Sequence, residues 1–229
     1  MKHAFGKTII VNLGGSVIVP EDINVKLLLR WKELVQKYAK KHTFVIVVGG
    51  GKLARKYQES ARAIRAITPK ESDWLGIYAT RLNAKLVQTV FGKLAASEII
   101  DSAEKLGDLS SPVTIASGWE PGASTDLISA RIAKHYGVSE IIMAGKPAYV
   151  FTKNPDQFVD ARPFAKLSWA EYWKLIPHKW EPGVSVPIDP VCVKFSKANK
   201  LAAIVVDGRN INNMEYLLQG EECEGTIVI

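Results

Sequence analysis

Three glycine clusters constrain this chain most. Each ends a short apolar run and opens a stretch with helical periodicity: Gly14-Gly15 after 8–13, Gly49-Gly50-Gly51 after 44–48, and Gly118 with Gly122 after 113–116. Strand, glycine turn and helix in repetition is the pattern of βαβ units around a largely parallel sheet. The run Phe44-Val45-Ile46-Val47-Val48 is apolar throughout, as expected of a strand covered on both faces. Open parallel sheets take ligands beyond the carboxyl ends of their strands, which is where these glycines stand.

Periodicity places helices over 25–41, from Lys52 onward, over 72–91, 91–106, 125–136, 190–199 and 213–219. It places further strands over 140–144, 201–206 and 226–229. Seven of the eleven prolines and three of the six tryptophans fall within 145–190, so irregular structure is expected there. No internal repeat and no Gly/Ser/Pro linker divides the chain. The expectation is one α/β domain over 1–229, with an N-terminal lobe (1–140) and a C-terminal lobe (141–229).

A chain of 229 residues can bury a substantial core. No apolar run reaches the ~18–20 residues of a membrane-spanning helix, and residues 1–7 lack a secretory signal pattern. A cytoplasmic protein without a membrane partner is expected. Cys192 and Cys223 read as reduced thiols. No Cys or His spacing suits zinc, and no protein-held metal is expected. Lys and Arg outnumber Asp and Glu by 30 to 23, which fits a phosphate-rich ligand. The basic residues are dispersed without an aromatic ladder, which argues against nucleic acid as the partner.

Backbone lacking Cβ can approach an oxyanion closely, and successive N–H groups form an anion nest. Gly14-Gly15-Ser16 offers such a turn, although the glycines could serve conformation alone. Gly49-Gly50-Gly51-Lys52 adds a helix N-terminus whose dipole favours phosphate, with Arg55 one turn in and Lys56 beside it. It matches neither a P-loop nor a dinucleotide fingerprint. In the third turn Ser124, Thr125 and Asp126 suit helix capping or a ligand loop. Asp73 near a helix start is either a cap or an acceptor for sugar hydroxyls. Thr80 and Asn83 share one helix face, suggesting an interface or a site. His3, His42, His135 and His178 do not cluster, and Trp169, Tyr172 and Trp173 read as packing residues.

Taken in order, these motifs resemble the amino acid kinase superfamily and, within it, the archaeal-type uridylate (UMP) kinases. The carrying segments are Gly14-Gly15-Ser16, the Val48–Tyr57 stretch with its three glycines, Asp73 with Leu75-Gly76-Ile77-Tyr78-Ala79-Thr80-Arg81-Leu82-Asn83-Ala84, and Pro121-Gly122 through Asp126. Ile188-Asp189-Pro190 through Lys194 and Gly225-Thr226-Ile227 also fit. The resemblance implies an αβα sandwich with a largely parallel central sheet, UMP in the N-terminal lobe and ATP in the C-terminal lobe. It implies transfer of the ATP γ-phosphoryl group to UMP, giving UDP for pyrimidine nucleotide biosynthesis. Gly14, Gly15 and Ser16 would line the transferring phosphates. Gly50 would face UMP, while Gly51 and Arg55 would face phosphates on the ATP side. Asp73 would hold the UMP ribose. Trp119, Glu120, Pro121, Gly122, Ala123, Ser124 and Thr125 would wrap uracil and phosphate. Lys194 would lie near the ATP phosphates and, with Arg55 and Ser16, act on the transferring group. Mg²⁺ would be carried by the nucleotide phosphates. Such chemistry asks for charge neutralisation and alignment more than for a covalent nucleophile. The resemblance also implies a hexamer built as a trimer of dimers.

Two positions depart from that pattern. Many superfamily members carry Lys two residues before the first glycine pair, where this chain has Asn12. The family's Thr-Asn-Val-Asp-Gly-Val-Tyr segment is here Gly145-Lys146-Pro147-Ala148-Tyr149-Val150-Phe151, and a following Asp is Asn154. Lys146, Phe151 and Asn154 are the residues this chain offers to the donor nucleoside. The alternative reading is a non-catalytic or altered-specificity paralogue that binds a nucleotide or oxyanion.

Overall fold

In the computed structural model, which describes residues 1–179 and 186–229, the first strand lies inside the sheet with neighbours on both sides. It is β1 (Thr8–Leu13), followed by a single turn of helix, α1 (Gly15–Ile18), then α2 (Val25–Tyr38), β2 (Thr43–Val48), α3 (Gly51–Ile64) and α4 (Pro69–Phe91). Next come β3 (Ala95–Ile100), β4 (Val113–Ala116), α5 (Thr125–His135) and β5 (Glu140–Gly145). The later elements are β6 (Val150–Phe151), β7 (Pro163–Phe164), β8 (Lys166–Leu167), α6 (Trp169–Trp173), α7 (Pro190–Ala198), β9 (Ala202–Asp207), α8 (Ile211–Gln219) and β10 (Thr226–Val228).

The described residues form an eight-stranded sheet in the order β3-β4-β2-β1-β5-β9-β10-β8. Its pairings are parallel except β9 with β10, as the strand–glycine–helix pattern requires. The sheet runs unbroken across residue 140, because β1 pairs with β2 on one side and β5 on the other. A separate antiparallel pair, β6 with β7, stands beside it.

Strand alternation divides the core in two. Ile9, Val11 and Leu13 face a layer built on α2, α4 and α8. Ile10, Val45 and Val47 face the other layer, under α5, α6 and α7. Asn12 shares the parity of Ile10 and so points toward the α5 side, 5% exposed. Helix α2 begins where the Asn24 side chain accepts from Leu27 N–H, and it turns Leu27, Leu28, Trp31, Leu34, Val35 and Tyr38 inward. The Trp31 indole N–H donates to the Gly208 carbonyl at 2.8 Å, tying this layer to the end of β9.

One expected helix is a strand. Over 91–106 the chain leaves α4 at Gly92 (φ 57°), makes one 3₁₀ turn, and forms edge strand β3. Ala, Lys, Leu and Glu in this stretch favour helix locally. The left-handed Gly92 stops the helix, and pairing of Ile99 and Ile100 with β4 outweighs propensity. The register shifts between Ala95 and Ile99, and the Gln88 amide covers the irregularity by donating to the Ala96 and Ser97 carbonyls. Within the irregular 145–190 stretch the structure adds β6, β7, β8 and α6. Trp180 and Pro182 lie outside the described residues.

Candidate active site

The first two glycine turns touch through their backbones. A Cβ on Gly15 would lie 2.1 Å from the Gly51 nitrogen and 2.5 Å from the Gly49 carbonyl oxygen. A Cβ on Gly51 would lie 2.4 Å from the Gly15 carbonyl oxygen, and Gly51 has φ +62°. Only glycine fits both positions. The turns are fastened to strand ends by Gly14 N–H to Ala144 O and Gly49 N–H to Leu13 O, both at 3.0 Å. Residue Gly14 thus sits behind the contact, holding β1 to β5.

The polar pair on α4 fixes the other glycine loops. Asn83 Nδ2 donates to the carbonyls of Gly49 and Gly50 at 2.9 and 3.2 Å. Thr80 Oγ1 accepts from Gly118 N–H at 2.8 Å and donates to Ile77 O. These two side chains are buried and serve the site from inside the fold. The adjacent Gln58 on α3 donates to Ser72 O, locking α3 to α4.

A cavity of about 300 Å³ opens where the three loops meet, at the carboxyl ends of β1, β2 and β4. β1 is also the strand from which the order runs both ways, a topological switch point. Gly15, Ser16, Gly50, Gly51 and Arg55 form one wall. Asp73 and Glu120 also line the cavity, with Ala123, Ser124 and Thr125 at the start of α5. Asp73 Oδ2 accepts from Gly122 N–H at 2.8 Å, so the loop tip braces the carboxylate. Burial pushes the Asp73 carboxyl up from its usual value, and that N–H partly offsets the rise.

Other expected site residues stand elsewhere. Trp119 is buried, its indole N–H donating to Ile100 O. Pro121 and Gly122 form the loop tip outside the lining. Lys194 is exposed on α7 with its ammonium 5.1 Å from the Trp173 ring centre. Lys146 is exposed, and its carbonyl accepts from Arg209, itself clamped by Asp207. Phe151 meets Tyr149 edge to face. Asn154 Oδ1 accepts from Asp156 N–H in a tight turn. Lys194, Lys146, Phe151 and Asn154 do not line this cavity.

Two carboxyl groups absent from the expected set line the cavity together, Asp126 and Asp189. Asp126 Oδ1 accepts from Asn12 Nδ2 at 2.6 Å, and Oδ2 accepts from Asp189 N–H at 2.9 Å. Asp189 caps α7, with Oδ1 accepting from Val191 and Cys192 N–H and Oδ2 accepting from the Ser124 hydroxyl. Burial first, then the charge of Asp189, pushes the Asp126 carboxyl up to about 7. Each Asp looks locally like an ordinary helix-start residue. Their shared role comes from a meeting across 63 positions.

Residues 7–207 match the sequence profile of the Amino acid kinase family. The chain belongs to that family. A uridylate kinase of Methanosarcina barkeri is 30% identical over 216 residues, covering 93% of this chain and 92% of that protein. One from Methanocaldococcus jannaschii is 30% identical over 226 residues, covering 95% and 99%. The crystal structure of uridylate kinase from Archaeoglobus fulgidus superposes with a TM-score of 0.81 at 29% identity, covering all of both chains. UMP kinase from Bacillus anthracis, 18% identical with a TM-score of 0.78, shares the fold.

The glycine contact makes a sharp prediction for this family member. Gly15→Ala must displace the backbone at Gly51, so unfolding free energy should fall by at least the ~1–3 kcal/mol typical of overpacking. Gly107→Ala, where nothing lies within 4 Å of the added Cβ, should stay within about 0.5 kcal/mol of wild type. Urea unfolding of both variants measures the difference; equal stabilities would contradict the contact.

Proposed function

We propose that the chain is a nucleoside monophosphate kinase that transfers the γ-phosphoryl group of ATP to UMP. The observation that carries this reading is one cavity lined both by the glycine turns with Arg55 and by Asp73, whose carboxylate is braced by Gly122 N–H. The glycine turns and Arg55 suit phosphates, since backbone donors and a guanidinium neutralise charge without reorganising. Asp73 suits a ribose, whose hydroxyls can donate to a carboxylate already oriented by the protein. The uridylate kinase relatives supply the choice of UMP as acceptor.

In this reading Gly15, Ser16, Gly51 and Arg55 hold and align the transferring phosphates, Gly50 and the 118–125 loop enclose the acceptor, and Gly14 positions its neighbours. ATP is the proposed donor, with its nucleoside toward the 141–229 side. Lys194 is proposed to reach the donor phosphates by leaving the Trp173 ring. Mg²⁺ would enter on the nucleotide phosphates. The reaction is placed in the cytoplasm; no described helix is long and apolar enough to cross a membrane.

Assembly is part of the proposal. The outer face of α4 exposes Tyr78 and Leu82, both over 60% accessible, one turn apart. Large apolar side chains in register on one helix suit burial against a second copy. A hexamer is expected, at six times the 25.2 kDa chain mass. Light scattering at micromolar concentration that reads 25.2 kDa would overturn the assembly.

Asp73→Asn tests the acceptor assignment. Losing a hydrogen bond to a charged group costs about 1.5–3 kcal/mol, so KM for UMP should rise roughly 10- to 100-fold. KM for ATP should change little. A larger rise for ATP than for UMP would reverse the assignment of donor and acceptor.

A further inference from the structure

The floor of the cavity holds a carboxyl pair to which no cation is bonded among the described residues. The donors to Asp126 are the Asn12 amide and the Asp189 N–H, and those to Asp189 are two N–H groups and a hydroxyl. Backbone N–H groups can only donate. The Asn12 amide can act either way: Nδ2 donates to an ionised Asp126, and after a half-turn Oδ1 accepts from a protonated one. Asn12 Oδ1 is buried and has no hydrogen-bond partner among the described residues. That orphan acceptor sits on the same amide that already reaches Asp126.

No described residue supplies a compensating positive charge at contact distance. Strands β1 and β2 carry no titratable side chain, and the one on β5, Glu140, lies at the far end of its strand. Helix α7 brings Asp189, Cys192, Lys194 and Lys197. Cys192 is buried, Lys194 lies over Trp173, and Lys197 is exposed. Buried Tyr172 of α6 bonds Ile188. On α5 itself Arg131 pairs with Glu120, while Lys134 lies over Phe195. His135 lies at the far end of α5, against Tyr136. Arg55, Asp73 and Glu120 are the other charged groups of the cavity.

We infer that Asn12, Asp126 and Asp189 form a proton-accepting latch, which takes up one proton when an anionic phosphate enters the cavity. An incoming phosphate dianion repels two carboxylates but tolerates a carboxylic acid–carboxylate pair, whose charge is lower by one. Asn12 is the positioning residue that lets Asp126 hold the proton by reversing its amide. The inference rests on the UMP reading of the cavity.

The sign follows from linkage. Burial and the neighbouring Asp189 charge push the Asp126 carboxyl up to about 7, so the carboxyl pair has room for a proton once the pH is above neutrality. At pH 6 it is already protonated, and binding takes up little. At pH 8 it is ionised, and phosphate binding restores the proton. A phosphate monoester is half way through its second ionisation near pH ~6, so UMP is predominantly the dianion above pH 7 and contributes little proton exchange of its own at pH 8. The Kd for UMP should therefore rise with pH above neutrality, at most about tenfold per pH unit.

The test is calorimetric titration of the full chain with UMP in EDTA, at pH 6 and pH 8, in two buffers of different ionisation enthalpy. Wild type should take up close to one proton at pH 8 and little at pH 6. Asp126→Asn should bind UMP with no uptake and a flat Kd across pH 7–8.5. Asn12→Lys, whose ammonium would hold Asp126 ionised, should also flatten the profile. Binding of UMP without uptake at pH 8, or uptake that survives Asp126→Asn, overturns the latch while leaving the UMP reading intact. Absence of UMP binding at any pH would sink that reading instead. The latch is then judged by the ¹³C carboxyl resonance missing in Asp126→Asn: titration between pH 6 and 8 supports it, and titration below pH 5 overturns it. If Asn12→Lys does not fold, the Asp126→Asn comparison decides.

Discussion

The backbone contact between Gly15 and Gly51 is the constraint on which the site depends. It brings the carboxyl ends of β1 and β2 together with no side chain between them. Strand pairing alone would set the two ends a strand spacing apart and leave the loops free to diverge. The contact converges them, and Asn83 holds the second loop by its carbonyls. Thr80, three residues earlier on the same helix, adds the third loop through Gly118. One face of α4 thereby controls the geometry of the site from within the core.

Charge is distributed over this frame in two parts. Backbone dipoles and Arg55 make one wall attractive to phosphate, at the N-terminus of α3. The floor has the opposite character: Asp126 accepts from the Asp189 backbone N–H, while Asp189 caps α7 and accepts from the Ser124 hydroxyl that caps α5. Phosphoryl transfer between two nucleotides crowds negative charge into a small volume. A floor that sheds charge by taking a proton is one physical answer to that crowding, and the amide at Asn12 suits it in a way an ammonium would not.

The strands at the centre were the most legible part of the sequence. Residues 44–48 are covered on both faces, so an unbroken apolar run could mean little else beside a glycine turn. The edge strand β3 was not legible. Half-exposed, with Ala96, Ser97 and Glu98 in its middle, it has no alternation to read, and its identity comes from pairing with β4. The glycine loops announced the site because their chemistry is local. Asp73 near a helix start reads equally as a cap or a ligand acceptor, and the structure puts it in the cavity lining. Asp126 and Asp189 are not legible as a pair, because each reads locally as a residue at a helix start and only the fold brings them together. Lys146, Phe151 and Asn154 were placed by resemblance alone, and the structure shows them engaged in turns and ring contacts outside the cavity.

The central claim is that the cavity accepts UMP as the phosphoryl acceptor. Release of ADP from ATP, followed by a coupled assay with UMP, CMP, AMP and GMP as acceptors, tests it most directly. The account predicts turnover with UMP at a kcat/KM well above that of either purine nucleotide. Turnover that favours a purine nucleotide, or none with UMP despite tight UMP binding, would contradict it.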